Sequence, residues 1–288
     1  EENYDKVSAK GYAYGYVGSV ILLIMILGMI QFSDQLGLSA DNMAIRIGFV
    51  LVGLWWLGFA QITFKRLPKD VKEPFQSSFI AKGFKEVKQV FQETIKDANI
   101  TKFLASYFFF IAGVNVVIYL ASIFAQEELG FGRSELIIVI LLLQLVAMIG
   151  AYFFAFISKF IGNKKALLIQ ISIWIGVCVA AYFTADKMSF YVICAFVGLV
   201  LGGIQSLSRS SYSKMIDENQ GVLTSYFSFY DVLTKVAIVA GTFVFGIVNQ
   251  ITNNMRYSVL SVVVFFVIGF LLLMTVNIKK YENKPKVS

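Results

Sequence analysis

Apolar residues along this chain come in long runs, not in the short alternations of a soluble domain. Eight runs stand out, at roughly 12–32, 44–63, 103–125, 136–158, 165–184, 188–207, 225–249 and 257–277. Each is close to the roughly 20 apolar residues that a helix needs to cross a hydrocarbon core. The pattern therefore predicts an all-α integral membrane protein, a bundle of eight transmembrane helices. Most connections are short, and the exception is Phe64–Lys102. Within it Ile80, Phe84, Val87, Phe91 and Ile95 recur every three or four residues, with Lys82, Lys85, Lys88 and Glu93 between them. That spacing predicts an amphipathic helix lying along the membrane surface or against the bundle.

Composition agrees with the pattern. The chain is 58% hydrophobic and 15% charged, with a mean hydropathy of +0.73, too little polar surface for a water-solvated domain. The position of its charge is more informative than the net +7. If the first residues lie inside, the inner segments hold 20 of the 25 Lys and Arg; the outer ones hold Arg46, Arg133, Lys187 and Arg256, and Lys235 falls inside a span. Such a bias predicts that both ends of the chain and the long connection face the cytoplasm. The chain opens Glu1-Glu2-Asn3-Tyr4-Asp5-Lys6, without Met or a signal-peptide pattern, and is expected to begin inside a longer protein.

Several chemistries fall away. There is no His, which removes the usual general base, the Ser–His and Cys–His dyads and a histidine proton relay. Cys178 and Cys194 sit in apolar runs without metal or redox spacing and are expected to be buried hydrophobes. No G-x-x-x-x-G-K-[ST] phosphate loop is present, so ATP is not expected to act directly. No cofactor, metal or nucleic acid is expected. The expected partners are the bilayer, a small-molecule substrate and a coupling proton or ion.

Polar residues inside the runs are the candidates for function. Asp231 and Lys235 are four apart, on one helix face. A charge near mid-membrane costs at least about 2.5–3.5 kcal/mol on insertion scales and is expected to face the bundle interior or a wet cavity. The pair is read either as substrate or ion binding or as a structural ion pair. Asn115, Gln144 and Gln205 are further cavity candidates. Gly198 and Gly202, with Gly203 beside them, form a small-xxx-small packing face. Arg209 ends that segment, as a gate contact or a snorkelling anchor. Gly11 and Gly15, interleaved with Tyr12, Tyr14 and Tyr16, predict close approach of the first helix to a neighbour, expected to be the fourth.

Three segments carry a resemblance. Lys10-Gly11-Tyr12-Ala13-Tyr14-Gly15-Tyr16-Val17-Gly18 is similar to R-G-x-A-x-G-Y-x-G, with Lys10 in place of Arg. Gly202-Gly203-Ile204-Gln205-Ser206-Leu207-Ser208-Arg209-Ser210 is similar to G-G-x-Q-x-x-S-R-S. Phe229-Tyr230-Asp231-Val232-Leu233-Thr234-Lys235 is similar to F-Y-x-x-x-x-[KR], followed by Gly241. In that order they resemble the vacuole-effluxer-like family of the major facilitator superfamily. The resemblance implies a twelve-helix transporter with amino acids among the family's substrates, and it brings Tyr230 into the candidate set. Two runs before the long connection and six after it then read as the end of one half, 1–63, a linker, 64–102, a six-helix half, 103–278, and a cytoplasmic tail, 279–288. The first four helices would be absent. In that fold the runs at 44–63, 165–184 and 257–277 are expected to face lipid. Ser158-Lys159-Phe160-Ile161-Gly162-Asn163-Lys164-Lys165 resembles the superfamily's short basic turn without its Asp, which leaves a gating salt bridge there in doubt.

The leading expectation is a secondary transporter of small polar metabolites, amino acids among them, in a bacterial cytoplasmic membrane. A membrane-embedded enzyme would need paired acids, His or metal ligands at membrane depth. A non-transporting scaffold or remnant is the third reading.

Overall fold

A computed structural model describes residues 2–38, 42–67, 79–216 and 223–278. The expected cytoplasmic tail, 279–288, and the middle of the long connection lie outside the described residues. The described elements are α1 (Glu2–Gln31), α2 (Met43–Arg66), α3 (Phe79–Lys96), α4 (Ala98–Leu129), α5 (Arg133–Ile161), α6 (Asn163–Phe183), α7 (Lys187–Met215), α8 (Leu223–Thr252) and α9 (Met255–Met274). Every one except α3 is long and apolar enough to cross a membrane, eight in all among the described residues. The eight apolar runs and these eight helices correspond one to one.

The helix ends differ from the runs. α1 begins near residue 2 instead of 12, and α7 continues to Met215, well past 207. Hydropathy marks only the part of a helix solvated by lipid. The extra turns are polar, and Asp5 and Ser8 of α1 and Ser210 and Lys214 of α7 bond across to other helices. Between α5 and α6 only Gly162 intervenes, at φ +82°, a backbone angle that favours glycine and lets one helix end and the next begin in a single step. Asp97 and Asp186 cap α4 and α7 by accepting from backbone N–H groups.

Lipid tails give no hydrophobic drive for helices to associate, so close packing must supply the cohesion. α5 and α7 meet backbone to backbone. A Cβ on Gly202 would overlap the Ala147 carbonyl, one on Gly150 the Leu199 carbonyl, and one on Gly198 would come within 2.7 Å of the Leu143 oxygen. α4 and α9 interlock through Gly113 under the Phe266 ring and Gly269 against Phe110, with the Ser106 hydroxyl donating to the Gly269 carbonyl at 2.6 Å. Phe266 in turn stacks on Trp174 of α6, ring centroids 5.5 Å apart. α2 packs against α1 and buries only Ala44 and Gly48 among its described contacts. At the lysine-poor end two of the cations are paired, Lys187 with Glu135 at 2.8 Å and Arg256 with Glu128 at 2.9 Å.

α1 does lie along α5, and along α7, but not by the residues expected. Ala9 and Ala13 make the seam: both are buried, and Ala9 packs with Ala151 and Ala155. Gly11 and Gly15 project away from it, and a Cβ on either would meet no atom within 4 Å. They are half a turn out of phase with Ala9 and Ala13, and alanine is small enough for the approach.

Candidate functional site

The motif segments converge where α1, α4, α7 and α8 meet. On α7, Gln205 and Arg209 are one turn apart. The Tyr16 hydroxyl of α1 donates to the Gln205 carbonyl oxygen at 2.8 Å. The Arg209 guanidinium lies 4.8 Å over the Phe227 ring and 3.7 Å from the Asp231 carboxylate of α8. Tyr12 of α1 lies within electrostatic reach of both charges. The side chains of Arg209 and Asp231 remain 40% and 61% exposed, so this is an open pair with donors and acceptors to spare.

Behind the pair stands an aromatic wall. Tyr230 is buried, stacked on Tyr107 at 4.2 Å on one side and on Tyr212 at 5.1 Å on the other. The Tyr107 and Thr234 hydroxyls share a hydrogen bond of 2.8 Å, and Thr234 also donates to the Tyr230 carbonyl. Burying rings of this size in offset stacks fixes the face of α8 that carries Asp231. Tyr230 is thus a packing residue of the site and not part of its exposed lining.

Asp231 does not pair with Lys235 in this structure. Phe227 holds the long Arg209 side chain against α8 and delivers the guanidinium to Asp231, so the acid's partner comes from another helix. Lys235 is exposed one turn further along α8, with no ion pair among the described residues. Asn115 donates to the Ile111 carbonyl of its own helix at 2.8 Å and makes no hydrogen bond to the cluster among the described residues. The Gln144 side-chain oxygen is buried and has no partner among the described residues. Gly202 and Gly203 pack as expected for small residues: a Cβ on Gly203 would sit 2.5 Å from both Gln170 and Phe154.

A second polar cluster lies toward the lysine-rich end. The Asp5 carboxylate of α1 pairs with Lys214 of α7 at 2.7 Å, and their side chains are only 8% and 7% exposed. Ser210 donates to Asp5 at 2.6 Å and Asn163 of α6 at 2.8 Å. Asn163 also donates to Ser211, and Ser8 to the Ser206 carbonyl at 2.8 Å. The basic turn between α5 and α6 lacks its own acid, and α1 supplies one. Asp5 escaped the sequence reading because it lies outside the apolar runs. The only signals were that missing acid and the serines around Arg209.

An all-helical bundle of eight candidate spans with a polar cluster among its central helices is a major-facilitator-type architecture. The fold of a variant of the Escherichia coli fucose:proton symporter FucP matches with a TM-score of 0.56 at 14% identity, covering 83% of this chain and 57% of that one. A bacterial homologue of the iron transporter ferroportin, solved in an outward-facing state, matches with a TM-score of 0.51 at 12% identity, covering 95% and 65%. Residues 2–285 match the family described as vacuole effluxer Atg22 like, and the chain belongs to that family. The uncharacterized MFS-type transporter YxiO of Bacillus subtilis is 27% identical over 274 residues, 95% of this chain and 63% of that protein. Autophagy-related protein 22 of Saccharomyces cerevisiae is 23% identical over 304 residues, 93% of this chain and 55% of that protein. The chain therefore spans between about half and two thirds of the length of the relatives it matches.

Proposed function

We propose that this chain is the greater part of a secondary transporter for a small zwitterionic metabolite of the amino-acid class, bound between Arg209 and Asp231. The observation that supports this reading is the open pair itself: opposite charges 3.7 Å apart on different helices, both well exposed, against aromatic rings. A guanidinium offers a planar fork that fits a carboxylate. A carboxylate beside tyrosine and phenylalanine faces suits an ammonium. A zwitterion entering would exchange one weak ion pair for two charge-assisted contacts. Lys235, exposed nearby, adds a second cation for a substrate that carries a further acidic group.

The Asp5–Lys214 cluster closes the lysine-rich end beneath this site, joining the last helices of one half to the other. Alternating access would require it to open, and its ion pair and hydrogen bonds hold the closed state. The lysine-rich end is taken to be cytoplasmic, as the charge bias predicts, in a bacterial inner membrane, with a proton or ion gradient as the driving force.

The test is flux in proteoliposomes containing the full-length protein, loaded in turn with labelled amino acids and with uncharged sugars. Counterflow of a zwitterion that is lost in both Arg209→Ala and Asp231→Asn is the expected outcome. Counterflow that survives both substitutions at the unsubstituted rate would end the assignment. An impermeant thiol reagent should fail to label cysteines placed at 81–96 from outside intact cells.

A further inference from the structure

We infer that α3 is a docking surface for anionic phospholipid, with an apolar strip to enter the headgroup boundary and lysines to engage the phosphates. The argument starts from how α3 is held. Val90 and Thr94 are buried against the bundle, and Phe91 reaches Phe229 at 5.9 Å. Both acids of the helix point the same way. Ser225 donates to Glu86 at 3.3 Å, and the Tyr226 hydroxyl donates to Glu93 at 3.0 Å. Hydrogen bonds from Gln89 and then Tyr226 hold the Glu93 carboxyl below the usual carboxylate range, so it stays charged and engaged with α8. The rotation of α3 is thereby fixed.

What this rotation leaves outward has two parts. Phe84, Phe91 and Ile95 are 74%, 49% and 51% exposed. Next to them around the helix come Lys85, Lys88 and Lys96, all exposed. Large apolar residues in a strip beside a row of lysines, on a helix between the lysine-rich ends of α2 and α4, make the pattern of a helix that lies at the depth of lipid headgroups. Because both glutamates of the helix are turned to α8, the outward face is cationic, which selects anionic over zwitterionic lipid. Each lysine near an anionic membrane surface contributes enough for roughly a fivefold preference.

The full-length protein, labelled with an environment-sensitive dye at Phe84→Cys in a background without other reactive thiols, is reconstituted into vesicles of phosphatidylcholine with a trace of brominated lipid. Brominated phosphatidylglycerol should quench the dye at least about fivefold more effectively than brominated phosphatidylcholine. The preference should fall by about fivefold with either Lys85→Gln or Lys88→Gln alone, and further with both, while Lys159→Gln leaves it unchanged. Equal quenching by the two lipids would overturn the anionic selectivity. A dye that is open to aqueous iodide in vesicles would overturn the lipid contact altogether, and one that is shielded from iodide but quenched by neither brominated lipid would overturn it by showing that protein covers the strip. None of these readouts depends on the transport assignment.

Discussion

The two ion pairs that join α7 to α1 and to α8 are built in opposite ways. Asp5 and Lys214 are 2.7 Å apart with less than a tenth of either side chain exposed, and Ser210 and Asn163 both donate to the carboxylate as well. Arg209 and Asp231 are 3.7 Å apart with 40% and 61% of their side chains exposed. The first pair is buried and closed on itself, with three donors on one carboxylate. The second is unsaturated and therefore available. On the proposed reading the open pair offers its charges to a ligand, and the pair closed on itself serves as a lock.

The comparison can be broken most easily at the lock. Lys214→Ala should leave Asp5 buried without a counter-charge and destabilise the closed bundle by about 3–5 kcal/mol, read as a fall in the melting temperature of the purified full-length protein. Replacing both, with Asp5→Asn and Lys214→Met, should restore most of that loss, since no uncompensated charge remains. If the single and double variants melt alike, the pair is not buried as described.

At the open pair the signs reverse. Arg209→Ala should cost less than about 1 kcal/mol of stability, as expected for an exposed pair. It should remove a charged contact to substrate worth about 1.5–3 kcal/mol, seen as a tenfold or greater weakening of substrate affinity in counterflow. A melting shift as large as that of Lys214→Ala would mean that Arg209 is structural.

The seams differ in the same way. Gly202→Ala should overpack the α5–α7 contact by about 1–3 kcal/mol, whereas Gly11→Ala, with nothing near its Cβ, should leave the described contacts intact. Matched melting curves for the two variants would contradict the packing. A modest effect is expected for Tyr16→Phe, which removes the donor to Gln205 and about 0.5–1.5 kcal/mol, detectable as a small loss of stability with Arg209 still required for transport.

The eight spans were legible because each is a local property. Twenty or so apolar residues in succession need no knowledge of their neighbours to be recognised. The small-xxx-small face of α7 was legible for the same reason, since Gly198, Gly202 and Gly203 announce a close approach whatever approaches. The partner of each charged residue was not legible. Sequence distance made Lys235 the natural neighbour of Asp231, but the fold places Arg209 across the groove, with Phe227 supporting its long side chain.

What the sequence determined by itself was the solvent, the number of spans, the bias of cations to one end, and the amphipathic α3, all consequences of hydropathy and period along one chain. What only the tertiary structure decided was which polar groups meet. Asp5 lies outside the apolar runs, yet α1 runs on past its run and lays it between α6 and α7. Gly11 and Gly15 look like the packing face, yet Ala9 and Ala13 take it, because rotation of a helix about its axis is set by all its contacts together. Pairing energies depend on distances across helices, and a one-dimensional pattern holds no information about that rotation.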